Sequence, residues 1–250
     1  MIYLILLIFI HILVDFFFQT PKWRRKKTTD CKLMCLHCAL YALLESFVVF
    51  LATDSVSNAL ISFFIFLVSH YFANRISGKL IKNKKYQPVV VHSICQLIEM
   101  LILLLVFFFF VYNHISGKRI DPFLKEILKK AILYFTAFAS LTKPISYLIQ
   151  EIFNALLKKK ETDFAKNYEP EQIDGAGNII GILERFILFI FFINNQASAI
   201  GFIIAAKSVA RFKKIETVQG FAEKYLIGTL MSSGAAVIIG WLVTFALKII

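Results

Sequence analysis

The sequence predicts an all-α, polytopic membrane protein, a transmembrane helical bundle of about eight spans. Three observations carry this. The 250 residues are 58% hydrophobic and 18% charged, with a mean hydropathy of +0.72; a soluble domain is roughly 45–50% apolar and about 25% charged. The chain holds 27 Phe beside many Leu and Ile, more apolar surface than one core of this size covers. The apolar residues also fall in runs close to the roughly 20 residues that a helix needs to cross a bilayer. The same figures exclude a disordered chain, a collagen-like fibre and a disulfide scaffold.

The elements follow in order. Residues 1–19 have no basic n-region and no small-residue cleavage site, so they read as a first span rather than a secretory signal. Further spans are expected at 33–53, 59–76, 88–112, 131–157, 178–194, 197–212 and 226–249. Residues 53–58 and 194–196 make tight turns. Lys143-Pro144 interrupts the fifth run, because proline lacks an amide donor and clashes with the preceding turn. That helix is kinked, or only its first half crosses, which would leave seven spans. The expected organisation is a four-helix transmembrane bundle over 1–112, an amphipathic or kinked helix and linker over 113–177, and C-terminal transmembrane helices over 178–250.

The net charge is +12. Basic clusters follow the first, third, fifth and seventh spans, at 22–32, 75–85, 158–166 and 211–224. If all eight spans cross, these share one side, and the positive-inside rule makes that side cytoplasmic. Both termini are then external, in a bacterial inner (cytoplasmic) membrane. The basic loop at 118–130 runs against this scheme. Attraction to anionic lipid, about 1 kcal/mol per basic residue near the surface, accounts for most of the charge. An acidic cytoplasmic ligand, a nucleotide or an anionic lipid, is its functional counterpart. No nucleic-acid-binding motif accompanies it, so no sequence-specific nucleic acid is expected.

Cys31, Cys35 and Cys38 have the C-x3-C-x2-C spacing of an iron–sulfur cradle. They lie along one face at the entrance of an apolar helix with no βα pattern behind them, and read as small packing side chains.

Ionisable groups inside a bilayer need a partner, water or a function. The first span carries His11, Asp15 and Gln19 at i, i+4 and i+8, one face of a helix. The second carries His37, Tyr41 and Glu45 at the same spacing. The third ends with His70 and Asn74, and the fourth begins with His92, Gln96 and Glu99. Counted at about 1.5 Å per residue, Asp15, His37, His70 and His92 reach one depth near the inner boundary. A four-helix bundle with these faces inward forms one polar layer. Neutral imidazoles and carboxylates are ligands for zinc or a similar divalent metal, with His11, Asp15, His70 and Glu99 the candidate set. The competing reading is a hydrogen-bonded network that fixes helix register. In the C-terminal half, Glu184 and Lys207 match in depth and read as an ion pair or gate, with Arg185 and Arg211 beside them. Arg185 is expected to point elsewhere, toward lipid headgroups or Asp174. Gly228, Ser232, Ala236 and Gly240 form a small-residue stripe on the last span, for close helix packing or a pore lining.

The stretch from His11 through Asp15 to Gln19, then Ser69-His70 and Gln96, resembles an uncharacterised integral membrane family of bacteria and phages, a domain of unknown function. So do the C-terminal runs Ile180-Gly-Ile-Leu-Glu-Arg185, Ala206-Lys-Ser-Val-Ala-Arg-Phe212 and Ala222-Glu-Lys-Tyr-Leu-Ile-Gly-Thr229. This resemblance implies a membrane fold and little chemistry. The N-terminal motifs also look like those of membrane-embedded metal-dependent hydrolases, with His11, Asp15, His70 and Gln96 at matching positions. Asn74 stands where such sequences tend to carry Asp, and Cys95-Gln96-Leu-Ile-Glu99 stands where they tend to read Asp-Gln-x-x-His.

Three function classes result. The leading one is an oligomeric ion-conducting or membrane-effector protein, phage-related or of a defence type. The second is an intramembrane metal-dependent hydrolase acting at the inner leaflet. The third is a membrane scaffold or sensor whose basic face binds an acidic cytoplasmic ligand. The balance of these readings leans against an enzyme.

Overall fold

The computed structural model describes residues 1–19, 23, 30–82, 86–114, 121–158, 175–218 and 220–249; the basic loops at 24–29, 83–85 and 159–174 and Asp174 lie outside the described residues. Among the described residues every regular element is a helix. Helix α1 (Ile2–Ile12) runs into a π turn, Leu13–Phe17. Helix α2 (Cys31–Thr53) starts at Asp30, whose carboxylate accepts from the N–H groups of Lys32 at 2.9 Å and Leu33 at 3.4 Å, the ordinary use of an acidic N-cap. It ends at Asp54 in the left-handed region, φ 53°, which Asp tolerates better than most residues.

Helix α3 is Val56–Lys82. Helix α4 (Pro88–Val106) begins with proline in its first turn, where the missing N–H costs nothing, and continues as a π turn, Phe107–Val111, and a short 3-10 turn, Tyr112–His114. Helices α5 (Pro122–Leu141) and α6 (Lys143–Lys158) are one run broken at Thr142, just ahead of Pro144. The run begins at Pro122 rather than at 131, because the Asp121 carboxylate caps the N–H of Phe123 at 2.8 Å. Helices α7 (Gly175–Ile193), α8 (Ala197–Ala210), α9 (Phe212–Thr217) and α10 (Phe221–Ile249) complete the chain. The turn between α7 and α8 places Asn195 at φ 58°.

Among the described residues, five segments are long and apolar enough to cross a membrane: Cys31–Thr53, Val56–Lys82, Pro88–His114, Pro122–Ala155 and Phe221–Ile249; Ile2–Phe17 and Ala197–Ala210 are shorter apolar helices. The chain divides into a unit of residues 1–136 and a unit of residues 137–250. The N-terminal unit is built on α1–α4, with α2 against α3, α3 against α4, and α1 against both α2 and α4. Its apolar core includes Leu7, Val14, Val49, Phe66, Leu103 and Val111. Polarity is inverted relative to a soluble bundle. His11, His37, Glu45, His70 and Glu99 are buried, whereas Phe64, Leu97 and Phe108 are exposed. Hydrocarbon outside and polar groups inside satisfy that arrangement.

In the C-terminal unit α10 lies on α7, α6 and α9, and α8 lies on α7. The small-residue stripe of α10 is a packing surface. A Cβ built on Gly240 would stand 2.5 Å from Phe192 Cδ1, and one on Gly228 would stand 3.1 Å from Phe153 Cζ. These glycines are therefore close-approach points between α10 and the aromatic rings of α7 and α6.

Candidate metal centre in the N-terminal bundle

Four helices deliver the cluster. His11 sits in the last turn of α1 and Asp15 in the π turn that follows. The i→i+5 bonding of that turn carries the chain off the α-helical face. Gln19 consequently lies beyond the helix, not on its stripe, and reaches its partner from the outgoing chain. His37 stands six residues into α2, about 9 Å at 1.5 Å per residue. His70 comes from α3, and Gln96 and Glu99 from α4. All except Gln96 are buried.

The hydrogen bonds assign most of the protons. Gln96 donates its amide N–H groups to Asp15 Oδ2 at 2.9 Å and Glu99 Oε2 at 3.0 Å. Its Oε1 therefore accepts from His11 Nε2 at 3.0 Å. That leaves His11 Nδ1 to accept from the Tyr41 hydroxyl at 3.0 Å. Tyr41 also stacks on His70, ring centroids 4.0 Å apart and 13° between planes, and so holds that imidazole in place. Glu99 Oε1 lies 2.9 Å from His70 Nδ1, and His70 Nε2 is hydrogen-bonded to His37 Nε2. The Gln19 amide N–H lies 2.8 Å from His37 Nε2 and donates to it, a bond that a metal on that nitrogen would displace.

Three potential ligand atoms face one another: His37 Nε2 and His70 Nε2 are hydrogen-bonded 2.9 Å apart, and Asp15 Oδ1 is 3.3 Å from the first and 3.4 Å from the second. A proton between the two imidazoles satisfies this triangle, and so would a divalent cation among its corners. A tetrahedral zinc site with bonds of about 2.0–2.1 Å spaces its ligand atoms about 3.3 Å apart, and the three edges bracket that spacing. The residues present therefore fit a divalent ion. Glu99 on the far side of His70 would be the carboxylate that orients a metal-binding imidazole. A half-turn of the Gln19 amide would exchange its N for its O and offer a fourth ligand. Gln19 Oε1 is buried and has no hydrogen-bond partner among the described residues.

A second donor group, His11, Asp15 and Glu99, shares Asp15 with the first. The Gln96 amide already fills it, lying between two carboxylate oxygens where a second cation would go. His37 is thus the histidine that pairs with His70, and the candidate set named from the sequence had placed it in the layer without making it a ligand. Tyr41 was visible on the same α2 stripe, and its role could have been inferred from its place one turn from His37.

The remaining polar positions stand apart. Asn74 donates to the His70 carbonyl at 2.9 Å. Glu45 is fully buried, and neither of its carboxylate oxygens has a hydrogen-bond partner among the described residues. His92 is half-buried near the start of α4 and belongs to neither donor group. Cys31 and Cys35 are exposed with sulfurs 4.0 Å apart, while Cys38 is buried. They form no cysteine donor group among the described residues.

In the C-terminal unit Lys207 pairs with Glu184. Lys207 and Arg211 each lie 6.0 Å from the Tyr225 ring centroid. Arg185 does not reach outward to headgroups. It is 3% exposed and donates to the Leu141 carbonyl and the Ser146 hydroxyl, both at 2.6 Å, and to Ser232 Oγ at 3.4 Å. The physical reason is the break at Thr142. The last carbonyls of α5 lack helical partners, and a guanidinium supplies donors inside the membrane.

Residues 3–121 match the model of a family described as proteins of unknown function, DUF3307. The match covers α1–α4 and every residue of the candidate donor cluster. The C-terminal runs that carried part of the resemblance lie beyond it. No curated protein and no solved structure matches the chain.

Proposed function

We propose that the N-terminal bundle is the metal centre of an intramembrane hydrolase acting on a lipid or lipid-linked ester at the inner leaflet. The observation that carries this reading is the triangle of Asp15 Oδ1, His37 Nε2 and His70 Nε2, with edges of 2.9, 3.3 and 3.4 Å. Three protein ligands with a displaceable fourth is the pattern of catalytic zinc. A bound divalent ion would supply a hydroxide nucleophile near neutral pH and polarise the ester carbonyl. The chain's own residues do the rest. Glu99 orients His70, Tyr41 clamps its ring, and Gln96 holds Asp15 against Glu99 so that Oδ1 keeps its direction. Gln19, on non-helical chain, is the group that moves aside to admit water.

In this reading the cluster lies about 9 Å inside the cytoplasmic boundary of a bacterial inner membrane. Both termini are external and the basic loops are cytoplasmic. Ester groups of the inner leaflet lie near that depth. The ion-conducting reading draws support from the charged groups of the C-terminal unit, but the stripe that would line a pore is packed on Phe192 and Phe153.

The test is metal analysis of the purified protein together with hydrolysis of fluorogenic phospholipid esters in mixed micelles. One bound divalent ion per chain is expected, with activity lost on chelation and restored by zinc. A wild-type protein that neither retains nor takes up metal removes the proposal.

A further inference from the structure

Two thiols at the start of α2 have no part in the proposed hydrolase. Cys31 is the first residue of that helix and Cys35 stands one turn on. Both are exposed free thiols, and their sulfurs lie 4.0 Å apart. Cys38, the third cysteine of the run, is buried. His37 is buried as well, two residues and about 200° round the helix from Cys35. The pair is therefore separate from the cluster inside the bundle.

The backbone decides what such a pair can hold. Residues i and i+4 of an α-helix keep their Cβ atoms about 5–6 Å apart. A disulfide needs Cβ atoms about 3.8 Å apart and sulfurs at about 2.05 Å, so closing one would distort the first turn of α2. A bridging metal ion asks for no such movement. With metal–sulfur bonds of about 2.3 Å, two sulfurs lie about 3.8 Å apart at a tetrahedral angle and about 4.6 Å apart on opposite sides of the ion. The observed 4.0 Å falls inside that interval.

The donor set then selects the ion. An iron–sulfur cluster takes four cysteines and structural zinc takes four protein ligands. Among the described residues no third His, Cys, Asp or Glu joins this pair. Soft thiolates suit copper(I), a d10 ion that is satisfied by two sulfurs. Its bis-thiolate complex carries a net charge of −1. The positive end of α2 favours that charge, as do exposed Lys32 and a stretch, 22–32, with six basic residues and one acidic.

We propose that Cys31 and Cys35 form a surface site for a soft monovalent cation, copper(I). Each thiol releases its proton to solvent as the ion binds, and copper stays in the +1 state, so no oxidant or reductant is consumed. The site does not depend on the metal centre.

The experiment uses the full chain in detergent, reduced and free of oxygen. Copper(I) is titrated in competition with a chromophoric chelator. One ion per chain should bind. Cys31→Ser and Cys35→Ser, both at exposed positions, should each weaken binding by about 100-fold or more, because one of two ligands is lost. Cys38→Ser and Asp15→Asn should leave the affinity unchanged. Copper-edge X-ray absorption on the wild-type protein should show two sulfur neighbours and no nitrogen. Equal affinities for wild type and Cys31→Ser would overturn the proposal. So would nitrogen ligands at copper or a loss of binding in Asp15→Asn, either of which would put the ion in the histidine cluster instead.

Discussion

Asp15→Asn is the sharpest perturbation of the N-terminal cluster, because it keeps the shape of the side chain and deletes only its charge. Asp15 is the one residue shared by both donor groups. Its Oδ1 is a corner of the triangle, and its Oδ2 holds the Gln96 amide at 2.9 Å. A four-ligand structural zinc site binds with about 10–16 kcal/mol, so each ligand carries about 3–4 kcal/mol. At about 1.4 kcal/mol per tenfold, loss of the anionic ligand should weaken zinc binding by about 100- to 1,000-fold. The lower end is expected, since the Asn carbonyl still points into the site. Glu99→Gln acts one bond further out, through His70, and should cost about 10- to 100-fold. Asn74→Ala should change nothing, because that amide only caps the His70 carbonyl. Competition against a chromophoric zinc chelator, on protein first stripped of metal, reads all three. Equal affinities for wild type and Asp15→Asn would refute the triangle as a ligand set. A larger loss in Glu99→Gln than in Asp15→Asn would show that Glu99, not Asp15, holds the ion.

Further outcomes are expected elsewhere. Gly240→Ala should lower stability by about 1–3 kcal/mol, the usual cost of overpacking, since its Cβ would meet the Phe192 ring. Gly234→Ala on the same helix meets nothing within 4 Å and should be neutral or gain up to about 1 kcal/mol; thermal melts compare the two. Glu45→Leu should raise stability by about 1–3 kcal/mol, because it removes a buried carboxyl with no hydrogen-bond partner among the described residues; a lower melting point would mean that the carboxyl does have a partner. Glu184→Gln and Lys207→Met should each lower folded yield, and the double variant should recover part of it; single variants that act independently in a double-mutant cycle would count against the pair. Cysteines introduced at Asp54 and Tyr86, which flank α3, should label from outside and from the cytoplasm respectively. The reverse pattern would invert the topology.

The sequence made the N-terminal site readable because ionisable residues are rare in apolar runs, and their four-residue spacing survives in α2 as His37, Tyr41 and Glu45. Matching depths then brought Asp15, His37 and His70 into one layer. The π turn at Leu13–Phe17 was not readable, since i→i+5 bonding is decided by packing rather than by residue type. Gln19 therefore seemed to extend a helix that ends before it. Arg185 shows the same limit. Lys143-Pro144 announced a broken helix, but which side chain would satisfy the freed carbonyls depended on how α7 lies against that break. His92 had the right residue type and depth for the layer, and its place on α4 left it outside both donor groups.

The π turn has a consequence for how this chain can change in length. A π turn holds one residue more than the α turn it replaces. In a regular α-helix a one-residue deletion shortens the span by about 1.5 Å and turns everything on one side of it by about 100°. Removing a single residue from 13–17 would instead let the helix close with ordinary i→i+4 bonds while Leu7 and His11 kept nearly their bearing on Asp15. This turn is therefore the place in the first span where one residue can be lost at the least cost to its register with the other three helices.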